Sequence, residues 1–240
     1  MIIHKKIRLF FVVCILFFLV AVVFAIMSRE NEAKASSPYY NGVAGWDRVA
    51  LCFNVDWGEE YIPAILSVLE KSDAKATFFL TGRWTEKFPD IALMIKHAGM
   101  EIGNHGLKHS NPNAMSYEEN CADISAAEAI IEERLHVKTD LFAPAGGEIG
   151  DNVLHAAEDN GCSLILWSVD TIDWQKPSPE TIVERVSKKT EDGSIILMHP
   201  TENTLTALPK ILSVLNEKRL SPVTVSEIIR DKVETTKKND

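Results

Sequence analysis

From Arg48 onward, the chain alternates short apolar runs typical of buried strands with longer segments of helical apolar spacing. The first unit joins the apolar run at 49–54 to a helical pattern over 62–71, where Pro63 suits a first turn. About seven such units follow one another, and this alternation predicts parallel strands with helices outside them. We therefore expect an α/β domain, either a doubly wound sheet or a barrel.

Local start and stop signals set the other predicted elements. Ser116 and Glu119 form a capping box before a helix that reaches about Arg134, and Ser178 with Pro179 begins another helix. The remaining predicted strands cover 76–81, 101–104, 141–143, 163–169, 194–198 and 222–225. The remaining predicted helices cover 89–99, 152–160 and about 208–218, with Ser226 as the cap of a last one.

Residues 9–27 form an unbroken apolar run, which as a helix would span about 28 Å, close to a hydrocarbon core. Basic residues precede it, so we expect the N-terminus to stay inside and the domain to be exported. A single-pass cell-membrane anchor is favoured over a secreted form cleaved near 33–35, because signal peptides have shorter apolar stretches. The predicted organisation is a transmembrane segment over 1–28, a linker over 29–47, a folded domain over 48–230 and a polar tail over 231–240.

Charge and cysteine content disfavour one class of partner and one kind of metal site. The formal net charge is −9, which disfavours nucleic acid as a partner because its binding depends on phosphate neutralisation. The four cysteines include no C-x-x-C, and Cys14 lies in the apolar run, leaving Cys52, Cys121 and Cys162. A cysteine zinc site is disfavoured, and a disulfide is neither indicated nor excluded.

His105 and His109 lie four residues apart, directly after the predicted strand at 101–104. On a helical turn, this spacing puts both imidazoles on one side, where they can reach one metal ion. Imidazole is the commonest metal ligand and suits zinc. Two solvated surface histidines would show the same spacing, so the spacing alone leaves both interpretations open.

Other chemically active residues also follow predicted strands. Parallel strands bring their carboxyl ends to one rim, where the sites of α/β proteins lie. Each residue alone has an ordinary explanation, such as a helix cap, a loop histidine or a core tryptophan, but together they favour a functional site. Besides the two histidines, the candidates are Asp56, Trp57, Pro144, Asp170, Asp173, Trp174 and His199.

This set is suited to metal-assisted hydrolysis. Two neutral histidines and one oxygen ligand leave open positions on zinc, where bound water becomes nucleophilic and a carbonyl is polarised. A rim carboxylate would take the proton of the water, and His199 would protonate the leaving amine. Asp173 or Asp170 would hold His199 in its acid form. Trp57 and Trp174 offer flat faces suited to sugar rings, unless they simply pack in the core.

Three motifs resemble those of the polysaccharide deacetylase family, the family-four carbohydrate esterases. The stretch at 103–109 is similar to the metal-binding histidine motif, 167–174 to D-x-x-D-W, and 196–200 to the final L-x-H motif. The resemblance covers Arg48 to about Ile229. It implies a distorted (β/α) barrel, a divalent metal cofactor such as zinc, and removal of acetyl groups from N-acetylated sugars in peptidoglycan or chitin-like envelope polysaccharide.

The first family motif, T-F-D-D-G, departs from the pattern here. Its two aspartates act as base and metal ligand, whereas this chain reads C-F-N-V-D-W-G over 52–58. Aligned from Gly58, Asp56 takes the base position and Trp57 replaces the ligand. Aligned from the phenylalanine, Asn54 replaces the base and Val55 the ligand. Either alignment lacks one carboxylate, so Asp56 is predicted as the base or as the third metal ligand.

Two other positions depart from the family pattern. Ala143 stands where the family has an arginine that orients the base, and Gly106 where it has Ser or Thr. The F-N-V-x-W-G form resembles a divergent branch of spore-forming bacteria, which implies a sporulation or envelope role. We therefore expect a deacetylase, with two alternatives: a catalytically impaired relative that binds envelope glycan without turnover, and a scaffold in spore assembly.

Overall fold

The computed structural model describes residues 37–229 and contains a curled, open half-barrel of parallel strands with helices outside it. The strand order is β5-β4-β3-β2-β1-β7-β6, and the short β8 pairs with the start of β1. The strands are β1 Arg48–Val55, β2 Thr77–Leu80, β3 Glu101–Asn104, β4 Leu141–Phe142, β5 Ser163–Leu164, β6 Val169–Asp170, β7 Ile195–Met198 and β8 Ser221–Val223. The predicted α/β class and parallel sheet are confirmed, but the barrel implied by the resemblance does not close, and the sheet is an open half-barrel.

The helices follow the strands as the alternation predicts. The long helix α4 begins with the predicted capping box, in which the Ser116 side chain accepts from Glu119 N and the Glu119 carboxylate accepts from Ser116 N. The α-helices are α1 Ile62–Lys71, α2 Gly82–Lys87, α3 Pro89–His97, α4 Tyr117–Leu135, α5 Asp151–Asp159, α6 Pro179–Lys189 and α7 Glu202–Glu217. Residues 225–229 are also helical.

Alternation along β1 defines two faces of the sheet. Val49, Leu51, Phe53 and Val55 belong to the main core, together with residues of the surrounding helices. Ala50 and Cys52 instead join an inner cluster with residues of β2, β4 and β7. Because successive strand residues point to opposite faces, Asn54, two residues beyond Cys52, lies on the same inner face near the carboxyl end of β1, where the half-barrel has its mouth.

Residues 39–41 lie along the open side of the sheet. Tyr39 forms a parallel bridge with Ile165, and Asn41 forms an antiparallel bridge with Ser194. Backbone hydrogen bonds from Tyr39 N to the carbonyl of Leu164 and from Leu166 N to the carbonyl of Tyr39 hold this segment against the end of β5. These residues, which the sequence placed in the linker, are thus part of the folded domain.

The predicted strand over 163–169 is wrong as a single element. Ile165 N donates to the carbonyl of Phe142 in β4, whereas Ser168 N donates to the carbonyl of Ile195 in β7. The extended chain crosses the gap between the two ends of the sheet, so β5 and β6 pair with different neighbours. A continuous apolar run cannot reveal such a change of partner.

Three helix starts also differ from the predictions. Helix α2, capped by the hydroxyl of Thr81, was missed. Helix α7 begins at Glu202 with Thr201 as its cap and continues through Pro209, so it starts before the predicted region. The last helix is capped by Thr224, whose hydroxyl accepts from Glu227 N while the Glu227 carboxylate accepts from Thr224 N. Ser226 is therefore not the cap.

The predicted transmembrane segment lies outside the described residues, as do the polar tail and most of the predicted linker. Within residues 37–229, no helix has the length and apolar character needed to cross a bilayer. The three cysteines in this range, Cys52, Cys121 and Cys162, are free thiols.

Candidate active site

His105 follows β3 and is 2% exposed at the inner face of the half-barrel. Its Nδ1 lies 2.6 Å from the carbonyl oxygen of Ala143, an interaction that makes Nδ1 the protonated nitrogen and leaves Nε2 available as a ligand. Burial, followed by the charge of nearby His109, lowers the pKa of His105 to about 3. The neutral imidazole is the form that binds metal ions.

His109 lies beside His105, with ring centroids 5.0 Å apart and ring planes at 71°. The two imidazoles are neighbours, as the spacing predicts, but the predicted helical turn is wrong. Residues 105–111 form an irregular loop, and His109 has a left-handed backbone with φ of 56°. A loop that bends back on itself, and not helical periodicity, brings the two rings together.

Two side chains that the sequence reasoning missed shape this loop. The Asn104 amide oxygen accepts from Gly106 N, while its amide nitrogen donates to the carbonyl of Ile124 in α4. Asp123 accepts from Leu107 N at 2.9 Å. A Cβ on Gly106 would lie 2.5 Å from the Asp123 carboxylate, which explains the glycine at this position. The asparagine directly before His105 was the available signal.

His199 and Asp173 form the pair that the sequence predicted. His199 Nδ1 lies 2.7 Å from Asp173 Oδ1, and His199 N donates to Oδ2 of the same carboxylate at 2.7 Å. Thr204 at the start of α7 also donates to Oδ2, at 2.6 Å. Asp173 is fully buried, so three hydrogen bonds compensate for its burial and fix the imidazole with Nε2 free.

Asp56 lies after β1 and is bound on both oxygens. Arg83 Nε donates to Oδ1 at 2.7 Å, Arg83 also pairs with Oδ2, and the Thr81 hydroxyl donates to Oδ1 at 2.8 Å. Burial acts to raise the pKa of Asp56, but the bonds from Arg83 and Thr81 outweigh it and lower the pKa. A carboxylate held in this way is a weaker base and is not free to bind a metal ion.

Asn54 and Ala143 occupy two of the positions at which the chain departs from the family pattern. Asn54 is two residues beyond Cys52 on β1 and 5% exposed, so alternation directs it toward the mouth. Ala143 belongs to the inner cluster, and its carbonyl oxygen holds His105. The backbone at 143 thus positions a histidine although no cation is present there.

The four predicted substrate-binding residues separate into two groups. Trp57 and Trp174 are 43% and 54% exposed, which fits a binding role and excludes the core-packing interpretation. Pro144 is buried, and its carbonyl accepts from Gly147 N, so it shapes a turn. One oxygen of Asp170 accepts from Ile172 N at 2.7 Å, which fixes the left-handed turn before Asp173.

The donor set only partly fits a zinc ion. The histidine pair has the right chemistry, since a metal-binding imidazole commonly donates its second N–H to a backbone carbonyl. However, no group of three His, Cys, Asp or Glu side chains within residues 37–229 is arranged to hold a metal ion. The predicted third ligand, Asp56, is instead paired with Arg83. The described residues would therefore supply two of the three protein ligands that a hydrolytic zinc site requires.

This arrangement defines a class of protein. Parallel strands present two adjoining imidazoles and a carboxylate-held histidine at the mouth of a half-barrel. The family model described as Polysaccharide deacetylase matches residues 42–165. The chain belongs to the polysaccharide deacetylase family, and the predicted resemblance is confirmed.

Relatives of the chain include proteins named as deacetylases and a protein described as a pseudoenzyme. A peptidoglycan-N-acetylglucosamine deacetylase of Bacillus cereus is 35% identical over 77% of this chain and 89% of that protein. The uncharacterized protein YlxY of Bacillus subtilis is 35% identical over 84% of this chain, which spans only 63% of the length of YlxY. The crystal structure of BA3943, described as a CE4 family pseudoenzyme from Bacillus anthracis, has 39% identity and a TM-score of 0.78. It covers 80% of this chain and 68% of that one, and a BA3943 mutant is described as having restored enzymatic activity.

Proposed function

We propose that this protein is a metal-dependent hydrolase that removes N-acetyl groups from N-acetylglucosamine-type residues of peptidoglycan or a chitin-like polysaccharide. The observation that carries the proposal is the meeting of the histidine pair with the His199–Asp173 pair. The charges of His109, His199 and Asp56 all act on the pKa of His105, so these four groups share one mouth.

The residues at the mouth would have different roles in amide hydrolysis. His105 and His109 would hold a divalent cation such as zinc, which when bound polarises the acetyl carbonyl and activates water. Cleavage of the C–N bond requires a proton on the leaving amine, and Nε2 of His199 is the atom placed to give it. Asp173 keeps that ring oriented through its hydrogen bonds to the ring and to the backbone of His199. Asp56 would serve as base only when Arg83 turns away.

We extend the proposal to the place of action. The apolar run at 9–27 with basic residues before it supports a single-pass cell-membrane anchor with the domain on the extracytoplasmic side. That location would give the domain access to envelope glycan, and the F-N-V-x-W-G motif supports a role in sporulation or envelope remodelling.

A second candidate is a glycan-binding protein without turnover. The engagement of both Asp56 oxygens by Arg83 and Thr81 favours it, and so does the likeness to BA3943. In this case the mouth would still bind N-acetylglucosamine residues, but acetate would not be released.

One experiment separates the two candidates. Acetate release by the purified full chain is measured on N-acetylglucosamine oligomers and peptidoglycan, with zinc, cobalt and manganese added in turn. The enzyme hypothesis expects metal-dependent release that His105→Ala abolishes, while His155→Ala, an exposed histidine on α5, retains it. Oligomer binding without acetate release selects the second candidate. If the protein shows no oligomer binding and releases no acetate, both candidates are contradicted.

A further inference from the structure

A cavity of about 310 Å³ is lined by two exposed tryptophans, Trp57 and Trp174. The Trp57 indole is parallel to the His199 imidazole, with centroids 6.0 Å apart and ring planes 6° apart. Trp57 therefore links the cavity to the proposed general acid, which is not itself one of the lining residues. Besides the tryptophans, it is lined by Glu60, Tyr61, Lys176, Thr201, Glu202 and Asn203.

The walls of this cleft are fixed by backbone contacts. Gly58 has φ of 85°, and a Cβ there would lie 2.1 Å from the carbonyl oxygen of Pro200. Only glycine therefore lets the loop that carries Trp57 approach the start of the α7 region so closely. On the other side, the Asn203 amide donates to the carbonyl of Pro177 at 2.8 Å. The cleft is thus built into the fold.

The charges of the cleft favour a cation. Glu60 and Glu202 expose carboxylates, against the single ammonium group of Lys176. None of the three forms an ion pair with another of residues 37–229. The cleft therefore carries a net negative charge and is lined by two indoles, whose faces attract cations and pack against apolar ring faces.

We propose that this cleft binds a glucosamine residue whose free ammonium group lies between Glu60 and Glu202. A pyranose ring supplies the flat apolar face for Trp57 and Trp174, and only the deacetylated form of the sugar supplies the positive charge. The inference rests on the proposed function, because it takes a glycan strand to run through the mouth. Through this cleft, the protein would bind preferentially to glycan strands that already contain deacetylated units.

The test compares two oligomers of equal length. Binding of the full chain to the glucosamine tetramer and to the N-acetylglucosamine tetramer is measured by isothermal titration calorimetry at low salt. Exposed ion pairs contribute modestly, so we expect the amine form to bind about 5-fold more tightly and the difference to shrink in salt. The double variant Glu60→Gln, Glu202→Gln should lose the preference and still bind the acetylated tetramer.

A matched control distinguishes the effect of the two cleft carboxylates from that of the overall negative charge of the protein. The double variant Glu70→Gln, Glu118→Gln removes two exposed carboxylates from α1 and α4 and should keep the full preference. Equal affinities for the two tetramers in the wild type, or a preference that survives in the Glu60, Glu202 double variant, would overturn the inference.

The readout is independent of catalysis. If acetate is released but no amine preference is found, this inference fails and the proposed function stands. If the preference is found without acetate release from any substrate, the cleft is supported while the hydrolase proposal fails.

Discussion

The two sides of the mouth use the same residue type in different ways. Asp173 is fully buried and accepts three hydrogen bonds from groups on neighbouring elements. Asp56 pairs with Arg83, whose side chain is 53% exposed, while the Asp56 side chain is only 8% exposed. The first carboxylate is fixed by the fold, whereas the second is held by a partner that water can replace.

This difference bears on catalysis. Asp173 accepts its three hydrogen bonds in buried surroundings, so it keeps His199 in one orientation. Asp56 can exchange Arg83 for another cation, because much of the cost of separating them is offset by hydration of the exposed guanidinium. The acid side of the site is preorganised, and the base side depends on a rearrangement.

Removal of the fixed carboxylate should have the largest effect. Asp173→Ala leaves His199 N, its ring and the Thr204 hydroxyl without their acceptor in a buried region, so unfolding free energy should fall by about 3 kcal/mol. Urea denaturation measures this. Asp90→Ala, an exposed residue in the first turn of α3, is the control and should cost less than about 1 kcal/mol. A similar loss in both variants would erase the contrast.

Addition of a carboxylate to the weaker side should raise activity. Asn54 points toward the mouth from the end of β1, so Asn54→Asp supplies a base that Arg83 does not already hold. Acetate release from N-acetylglucosamine oligomers should rise about 100-fold. The combination with His105→Ala should abolish the gain. If acetate release stays unchanged, a missing base is not what limits the reaction.

Acid should destabilise the metal-free protein through His105. The folded pKa of about 3 is below the unfolded value near 6.5, so the unfolded chain binds the proton first as pH falls. The stability contributed by His105 is present above about pH 6.5 and is lost toward pH 3, by about 2 kcal/mol between pH 6.5 and 5. Urea denaturation with a chelator should show this slope. It should be absent in His105→Gln and present in His97→Gln, an exposed control; a slope in both variants would refute it.

Release of Asp56 should have the smallest effect. Arg83→Gln frees both oxygens of Asp56, so affinity for cobalt or zinc should rise about 10-fold, with less than about 1 kcal/mol of stability lost. Calorimetric titration with the metal measures the change. Lys87→Gln, at the exposed end of the same helix, should bind metal as the wild type does. An unchanged affinity in Arg83→Gln would mean that Asp56 does not reach the histidine pair.

The sequence predicts the site best where local signals and strand order suffice. His105, His109, Asp173 and His199 follow strand ends, and parallel strands bring those ends together. The partnership of Asp173 with His199 was predicted, with Asp170 left as an alternative. The structure assigns Asp170 to the turn before Asp173 instead.

Partners contributed by another element were not predictable. Arg83 meets Asp56 only because β2 lies beside β1 and α2 follows it directly. The missed α2 therefore hid the most important contact of the base candidate. In the same way, Asn104 and Asp123 shape the histidine loop through α4, and no spacing in the sequence records that packing.

The pairing of residues 39–41 along the open side of the sheet has a consequence for how the domain folds. Tyr39 pairs with the chain beside Leu164, and Gly42 N donates to the carbonyl of Gly193, so the first described residues finish a sheet whose last strands are made much later. Such distant pairings slow folding, because the entropy of closing long loops is lost before the contacts that stabilise the sheet can form. During synthesis, residues 39–42 would have no strand to pair with until the final third of the chain emerges. A truncation at Arg48 would leave the backbone groups of their partners at 164–166 and 193 without these hydrogen bonds.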